Sequence, residues 1–222
     1  MAITRKQFAV IGLGRFGSSV CQTLKGLGHE VLGMDSSEEL TREAHANHIA
    51  THVVRGDSTD IHSLDEIGMR NFDTVVVAIG SDMEASILTV LNLQDLGVKN
   101  IIAKAGYNRH GKVLERIGGD TIRVVYPESQ MGERVAHSIG GTGIVEQLEL
   151  DPNYSIIEIP VPTHLIGKTL QEADLRARYG VTVIAILSKG SVNVAPLGDD
   201  RFNAGDIIAV IGANDKLDTL RR

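Results

Sequence analysis

The amino-acid sequence predicts an α/β protein in which a doubly wound parallel sheet precedes a smaller α+β module. Between residues 8 and 139, short apolar runs alternate with helix-like segments about six times, which is typical of such a sheet. The first apolar run ends in a G-x-G-x-x-G motif, from Gly12 to Gly17. After the glycine-rich segment 140–143 the strand pattern changes, so we predict two domains, residues 1–140 and 141–222.

The composition narrows the class of protein. The chain has 222 residues, of which 42% are hydrophobic, and its formal net charge is −6. We expect a core of ordinary size, and the acidic balance argues against nucleic acid as a partner. The single cysteine, Cys21, permits no internal disulfide and fits a reducing cytoplasm. No run approaches the roughly 18 apolar residues of a membrane span. We therefore expect a cytoplasmic protein that reaches a membrane only through a partner.

The glycine motif follows a predicted strand and precedes a predicted helix. In a dinucleotide-binding turn, Gly12 permits the tight bend and Gly14 lets a pyrophosphate approach the backbone, while Gly17 lets the helix pack close to the strand. The N–H groups that open the helix then face the anion. Asp35 ends the next predicted strand, where this fingerprint places a ribose-binding carboxylate. The alternative is a structural glycine turn with Asp35 as a helix N-cap.

The other elements of the first domain follow from caps, glycines and apolar runs. Ser36 or Ser37 suits a helix N-cap, and Pro127 opens the last helix of the domain. Residues 73–80 are largely apolar and β-branched, as in a strand that is covered on both faces. The predicted strands occupy residues 8–11, 29–35, 49–55, 73–80, 100–105 and 122–125. The predicted helices occupy residues 18–27, 36–48, 82–96, 109–117 and 128–139, and a further helix is predicted after the turn at residues 56–60.

The second domain is predicted as a small α+β module. Its size, roughly 70–80 residues, is below that of most dehydrogenase substrate domains. The predicted strands occupy residues 144–150, 154–161, 181–187, 191–194 and 206–211, with helices over 169–179 and 215–222.

These motifs resemble those of the RCK (also called KTN) regulatory proteins of potassium transport. The similar segments extend over nearly the whole chain, at residues 8–17, 28–32, 77–80, 104–105, 110–118, 126–128, 165–170 and 178–183. Within the family, the sequence is most similar to the cytosolic gating subunits of Ktr-type potassium uptake systems. The resemblance implies a Rossmann-like N-terminal lobe that binds ATP, ADP or NAD(H). It also implies a homodimer that assembles into an octameric ring, docks on a membrane-embedded potassium channel subunit and controls ion flux without being an enzyme.

The candidate nucleotide site combines residue chemistry with this resemblance. Asp35 is expected to accept hydrogen bonds from ribose hydroxyls, and its charge disfavours the 2′-phosphate of NADP. Asp57 and Ser58 follow the third strand, where a loop flanks the adenine or caps the next helix. Lys104 is a phosphate-binding cation or a solvated lysine. The complete set of cofactor-binding candidates is Gly12, Leu13, Gly14, Arg15, Phe16, Gly17, Asp35, Ser36, Asp57, Ser58, Ala78, Ile79, Gly80, Lys104, Ala105, Gly106, His110 and Glu128.

The resemblance gives two of these residues specific roles. In the Ktr family, an arginine at the place of Arg15 reaches phosphate, including the terminal phosphate of ATP bound by the neighbouring subunit. The alternative is a surface arginine near a helix start. Glu128 would lie at a dimer interface near the phosphates, where Mg²⁺ or Ca²⁺ bridges it to its symmetry mate. The alternative is an acid that only stabilises a helix N-terminus.

A second ligand is implied in the C-terminal lobe, because some Ktr relatives bind cyclic di-AMP between two such lobes. The corresponding residues here are Leu165, Ile166, Asp174, Arg176 and Ala177. The apolar residues would hold adenines and Arg176 a phosphate. The family often has asparagine where this chain has Asp174, and an acid beside a phosphodiester is unfavourable. An ordinary domain interface is the alternative.

Other functions are less well supported by the sequence. The segment Gly167-Lys168-Thr169 lacks the upstream glycine of a P-loop. The three histidines of residues 45–52 are accompanied by no cysteine and suit a solvated face better than a metal site. An NAD-dependent oxidoreductase is the main alternative, because the glycine loop and Asp35 permit it. A nucleotide-sensing repressor is a third, which the acidic balance and the lack of a basic segment disfavour.

Overall fold

A computed structural model describes residues 5–139 and 145–220 of the chain. The chain forms two compact units, Met1–Ser129 and Gln130–Arg222. The glycine-rich segment 140–143, at which we predicted the domain boundary, lies outside the described residues. The boundary between residues 140 and 141 therefore stays a prediction.

The first unit is built on a six-stranded parallel sheet. Its strands are β1 (Gln7–Ile11), β2 (Glu30–Asp35), β3 (His52–Arg55), β4 (Thr74–Val77), β5 (Ile101–Lys104) and β6 (Ile122–Val125). The α-helices that follow the strands are α1 (Arg15–Gly26), α2 (Glu38–Ala46), α3 (Ile61–Glu66), α4 (Met83–Asp95), α5 (Asn108–Gly118) and α6 (Pro127–Ile139). Helix α6 begins in this unit and continues into the second. The strand order is β3-β2-β1-β4-β5-β6, so the predicted doubly wound sheet is confirmed.

Both faces of this sheet are covered by apolar packing. Val75 and Val77 of β4 belong to one buried cluster, whereas Val76 belongs to the cluster on the opposite face. Such alternation follows from the two-residue period of a strand, and it explains why β4 reads as an unbroken apolar run. Cys21 is buried on α1, where burial raises the pKa of its thiol to about 12.

Several element boundaries differ from the predicted ones. The strand predicted to reach residue 80 ends at Val77, because the chain turns away to form the rim of a cleft. The helix predicted from residue 18 begins at Arg15, directly after the glycine loop. Strand β3 begins at His52, and the two residues before Thr51 are buried in the preceding turn.

The second unit contains an antiparallel sheet of five strands within the described residues. The strands are β7 (Glu146–Asp151), β8 (Tyr154–Pro160), β9 (Thr182–Ser188), β10 (Ser191–Val194) and β11 (Ile207–Ala213), in the order β10-β9-β11-β8-β7. The part of this unit that the structure describes also contains the short α-helices α7 (Leu170–Ala173), α8 (Leu175–Tyr179) and α9 (Asn214–Leu220). The predicted α+β module is confirmed.

The single helix predicted over residues 169–179 is wrong, because the chain breaks it at Asp174. Thr169 and Glu172 form a reciprocal capping box that starts α7. Asp174 then adopts a left-handed conformation, with φ of 44° and ψ of 50°, and α8 begins at the next residue. A non-glycine residue at positive φ leaves little signal in a sequence, although aspartate and asparagine tolerate it best.

Candidate nucleotide-binding site

A cleft of about 320 Å³ opens at the carboxyl ends of β1 and β4. These two strands are neighbours in the sheet, and the strand order reverses between them. Ligands of doubly wound sheets bind at such a switch point. The cleft is lined by Ile11, Gly12, Gly14, Asp35, Ser36, Leu40, Gly56, Asp57, Ser58, Thr59, Ala78, Ile79, Gly80, Ser81, Asp82 and Ala85.

The glycine loop has the geometry that a phosphate-binding turn requires. Gly12 has a φ of +97°, which favours glycine, and its N–H donates a 2.8 Å hydrogen bond to the carbonyl of Met34. A Cβ on Gly17 would lie 1.8 Å from the Gly12 carbonyl oxygen, so only glycine lets α1 pack this closely. Gly14 is different, because a Cβ there would meet no atom within 4 Å. The space beside Gly14 is therefore open to a ligand next to the first turn of α1.

The carboxylate of Asp35 is held by the backbone at both of its oxygens. Oδ2 accepts a hydrogen bond from the Leu13 N–H at 2.7 Å, and Oδ1 accepts one from the Ser37 N–H at 2.8 Å. Each carboxylate oxygen has a further lone pair, so both remain able to accept from a ribose hydroxyl. Ser37, rather than Asp35, caps α2, since its side chain accepts from Leu40 N–H. Leu13 itself is buried and packs on the sheet.

The loop after β3 is fastened to α4 through side chains that the sequence did not single out. The Ser58 hydroxyl is buried and lies 2.7 Å from the Thr89 hydroxyl. Asn92 Nδ2 donates to the carbonyls of Ser58 and Thr59, at 3.3 and 2.9 Å. Asp57 Oδ1 accepts from the N–H and the hydroxyl of Thr59, which leaves Oδ2 at the cleft without a bond among the described contacts.

Neither Asp57 nor Ser58 caps the following helix. The N-cap of α3 is Asp60, which accepts from the His62 N–H at 3.1 Å. The capping alternative for the two predicted residues is therefore wrong. Their backbone and side chains line the cleft, and contact with an adenine stays a prediction.

Ala78, Ile79 and Gly80 form the wall of the cleft after β4. The Ala78 N–H donates a 2.7 Å hydrogen bond to the carbonyl of Ile11, which ties this wall to β1. Asp82 closes the same side and caps α4 by accepting from the Ala85 N–H. Asp82 was not among the predicted site residues, although its place two residues after Gly80, the end of the predicted strand, is a usable signal.

Neither predicted cation, Lys104 or Arg15, is among the residues that line the cleft. Lys104 Nζ is 5.6 Å from the ring centre of Phe16, just after the glycine loop. The same nitrogen makes a 2.6 Å ion pair with Glu128 Oε1. The hydrogen bond from Lys104 lowers the pKa of Glu128, and the charge of Arg15 contributes further. Arg15 borders a neighbouring cavity of about 500 Å³ between α1 and α2.

The loop after β5 places its predicted residues behind this wall. Ala105 is buried, and a Cβ on Gly106 would lie 2.4 Å from the Gly80 carbonyl oxygen. His110 is fully buried, where its Nδ1 accepts from the Gly106 N–H at 3.3 Å. Its Nε2 therefore carries the proton and donates to the Ser86 hydroxyl at 3.1 Å. The structure thus gives His110 a place in the support of the loop, whereas direct contact with a nucleotide stays a prediction.

The candidates in the second unit are only partly accessible. Leu165 is buried in the core of that unit, so its side chain is not presented to a ligand. Ile166, Arg176 and Ala177 are exposed, and Asp174 serves as the left-handed junction between two helices. The conformation of Asp174 explains an aspartate or asparagine there without any ligand. Binding of cyclic di-AMP stays a prediction.

No group of three or more metal-ligating side chains gathers among the described residues. A metal-binding role of Glu128 stays a prediction. No helix in the described part of the chain is both long enough and apolar enough to cross a membrane.

Comparisons with known proteins agree with this architecture. Residues 8–127 match the TrkA-N domain, and residues 154–222 match the TrkA-C domain. The chain is 46% identical to Ktr system potassium uptake protein C of Bacillus subtilis (strain 168), over 94% of this chain and 93% of that protein. It is 41% identical to Ktr system potassium uptake protein A of the same strain, over 95% and 93%.

A solved structure, the GsuK channel bound to NAD, has the same fold. It superposes with a TM-score of 0.69 at 20% identity, over 99% of this chain and 39% of the channel chain. The two domain matches and the identity to the Ktr proteins cover nearly the whole sequence. The chain belongs to the family of TrkA-N and TrkA-C domain proteins, the RCK regulatory subunits of potassium uptake systems.

Proposed function

We propose that the protein is the nucleotide-sensing gating subunit of a Ktr-type potassium uptake system. The observation that carries this proposal is the cleft beside the glycine loop, in a chain 46% identical to a Ktr uptake protein. The ligand is ATP, ADP or NAD(H), and the response is a change in shape that a membrane potassium channel subunit detects at the cytoplasmic face.

The chemistry of the cleft supports an adenine nucleotide. Asp35 offers carboxylate lone pairs at the end of β2, where a ribose lies in dinucleotide sites. Its negative charge opposes a 2′-phosphate. The open backbone at Gly14 accommodates phosphate, and Lys104 supplies a cation at the same edge. The NAD named for the GsuK channel is a ligand of the same chemical class.

Assembly with further copies of the chain is supported by α6. Met131, Val135 and Ile139 recur at every fourth residue along it and are 54, 49 and 79% exposed. A helical apolar stripe of this kind is normally covered. We infer that a second copy covers it in a homodimer, and that dimers form the octameric ring implied by the family resemblance. A divalent cation, Mg²⁺ or Ca²⁺, would then join two Glu128 carboxylates, which need a counter-ion when they approach.

Gating requires that two nucleotides bind the two shapes of the ring with different affinity, since a ligand with equal affinity shifts no equilibrium. Arg15 is the residue proposed to supply that difference, by contact with the γ-phosphate in a neighbouring subunit. Hydride transfer is less well supported. The walls described above carry aspartates, small side chains and aliphatic groups, but no histidine, lysine, tyrosine or cysteine.

The experiment is equilibrium binding of ATP, ADP and NADH to the purified protein, with and without Mg²⁺ or Ca²⁺, while light scattering reports its mass. A large ring that binds ATP more tightly with the cation supports the gate. A dimer that prefers NADH and ignores ATP contradicts it and favours the redox alternative. Arg15→Ala should weaken ATP binding much more than ADP or NADH binding. The exposed Arg42 of α2 supplies the control, Arg42→Ala, which should leave all three affinities unchanged. Equal losses for the three nucleotides in Arg15→Ala would contradict the assigned role.

A further inference from the structure

Lys104 and Glu128 form an ion pair, although each was predicted to bind a different part of the ligand. Lys104 is the candidate for phosphate and Glu128 the candidate for a divalent cation. Lys104 Nζ lies 2.6 Å from Glu128 Oε1. The lysine side chain is only 13% exposed, whereas that of the glutamate is 64% exposed. The cation expected to bind phosphate is therefore already engaged by a carboxylate of its own chain.

This pair lies at the edge of the cleft. The end of the Lys104 side chain packs against Gly80, where an added Cβ would come within 3.0 Å of Cε and 3.1 Å of Nζ. Its ammonium also lies 5.6 Å from the ring centre of Phe16, in the first turn of α1. Lys104 Nζ is thus held between the segment that follows β4 and the first turn of α1. An anion bound to that helix start would compete for the same ammonium.

Glu128 already supplies the negative charge that pairs with Lys104. The Lys104 hydrogen bond and the Arg15 charge both favour its ionised form. A largely buried ammonium needs an anionic partner, but either a carboxylate or a phosphate meets that need. The exchange is inexpensive for Glu128, because a mostly exposed carboxylate returns to water or to a cation with little loss.

We propose that Glu128 is an internal competitor of the nucleotide phosphate, and that nucleotide binding breaks the Lys104–Glu128 pair and releases the first turn of α6. This inference rests on the proposed nucleotide binding. Glu128 is the second residue of α6, directly after Pro127, whereas Lys104 ends β5. The pair is thus a direct link between the cleft and the helix that carries the exposed apolar stripe. Because coupling is reciprocal, a divalent cation that draws Glu128 away raises nucleotide affinity.

The test is the affinity for ADP measured by calorimetry in the presence of EDTA. Glu128→Gln should bind ADP about threefold to tenfold more tightly than the wild type, because the competitor is lost. Glu128→Asp keeps the charge but withdraws the carboxylate, and it should show most of the same gain. Glu133→Gln removes an exposed acid further along the same helix and should change the affinity by less than about twofold.

Lys104→Met completes a double-mutant cycle with Glu128→Gln. It should weaken ADP binding, and on its background Glu128→Gln should have an effect below about twofold, because the two residues act through one contact. If Glu128→Gln still raised the ADP affinity in the Lys104→Met protein, the cause would be long-range charge repulsion between Glu128 and the nucleotide. That result would overturn the proposal that Glu128 competes with phosphate for Lys104. An unchanged or weaker affinity in Glu128→Gln would overturn it as well.

Hydrogen exchange provides a readout that does not depend on affinity. In the wild type, ADP without divalent cation should speed exchange in the peptide that covers residues 127–133. In Glu128→Gln that peptide should exchange quickly before ADP is added. Protection that is identical in all four states would overturn the release of α6. A wild type that binds no adenine nucleotide overturns both proposals, whereas ADP binding without a gain in Glu128→Gln overturns the competitor alone.

Discussion

Gly17→Ala tests whether close packing of α1 on the glycine loop shapes the candidate site. A Cβ at this position would lie 1.8 Å from the backbone oxygen of Gly12 and 3.2 Å from the Cβ of Ala78. Neighbouring atoms do not approach a Cβ closer than about 3 Å, so the helix start or the loop must move by more than about 1 Å. The obstacle is backbone, which cannot rotate away as a long side chain does.

Two opposing terms set the magnitude of the effect. Alanine is preferred over glycine in a helix by up to about 1 kcal/mol, whereas overpacking costs roughly 1–3 kcal/mol and more where nothing yields. The obstructing atom is the backbone carbonyl oxygen of Gly12, which follows the central strand β1. We therefore expect the overpacking cost to exceed the gain in helix propensity, and the free energy of unfolding to fall by about 2 kcal/mol. This corresponds to a melting temperature lower by roughly 5–10 °C. The displaced loop should also weaken ADP binding at least tenfold.

Two other glycines provide matched controls. Gly26 is the last residue of the same helix, and a Cβ there meets no atom within 4 Å. Gly26→Ala should therefore leave the stability unchanged or raise it by up to about 0.5 kcal/mol, less than at a helix interior. Gly14 is equally open and is the N-cap residue of α1. Because alanine is a poorer N-cap than glycine, Gly14→Ala should cost about 0.5–1 kcal/mol, less than Gly17→Ala, while still weakening ADP binding. Urea unfolding and calorimetry measure both quantities. A Gly17→Ala protein as stable as the wild type would refute the packing argument, and tight ADP binding by Gly14→Ala would refute the phosphate position.

Two further predictions concern the second unit and the interior of the first. Asp174→Gly and Asp174→Asn should retain wild-type stability in urea within about 0.5 kcal/mol, whereas Asp174→Val should lose about 1–2 kcal/mol because it disfavours positive φ; equal stability of all three would contradict this. Burial lowers the pKa of His110, so the folded protein binds that proton more weakly than the unfolded chain, and stability should fall as the pH drops below about 6.5. His110→Gln should flatten this slope between pH 7.5 and 5.5, and an unchanged slope would show that His110 does not contribute to it.

The parts of the fold that depend on local pattern could be predicted from the sequence. The glycine loop joins a strand, a turn and a helix start within consecutive residues. The spacing of the motif alone therefore predicts why glycine is needed at positions 12 and 17. The junction at Asp174 could not be foreseen. The sequence of residues 169–179 is compatible with one continuous helix, and equally with two short helices that meet at Asp174. The link from Ser58 to Thr89 spans 31 residues, and hydroxyl pairs at such distances leave no periodic signal.

The pairing of Lys104 with Glu128 shows where reasoning from single residues ends. From the sequence, Lys104 was predicted to bind phosphate and Glu128 to bind a metal ion. Neither residue was expected to have a partner in the absence of a ligand. The structure places them 2.6 Å apart, so each is the other's partner before any ligand arrives. In our proposal the two ligand roles are coupled through this contact. A phosphate bound at Lys104 would leave Glu128 available to a cation, and a cation bound at Glu128 would leave Lys104 available to phosphate. We propose that this contact, between the end of β5 and the start of α6, transmits the occupancy of the nucleotide site to α6.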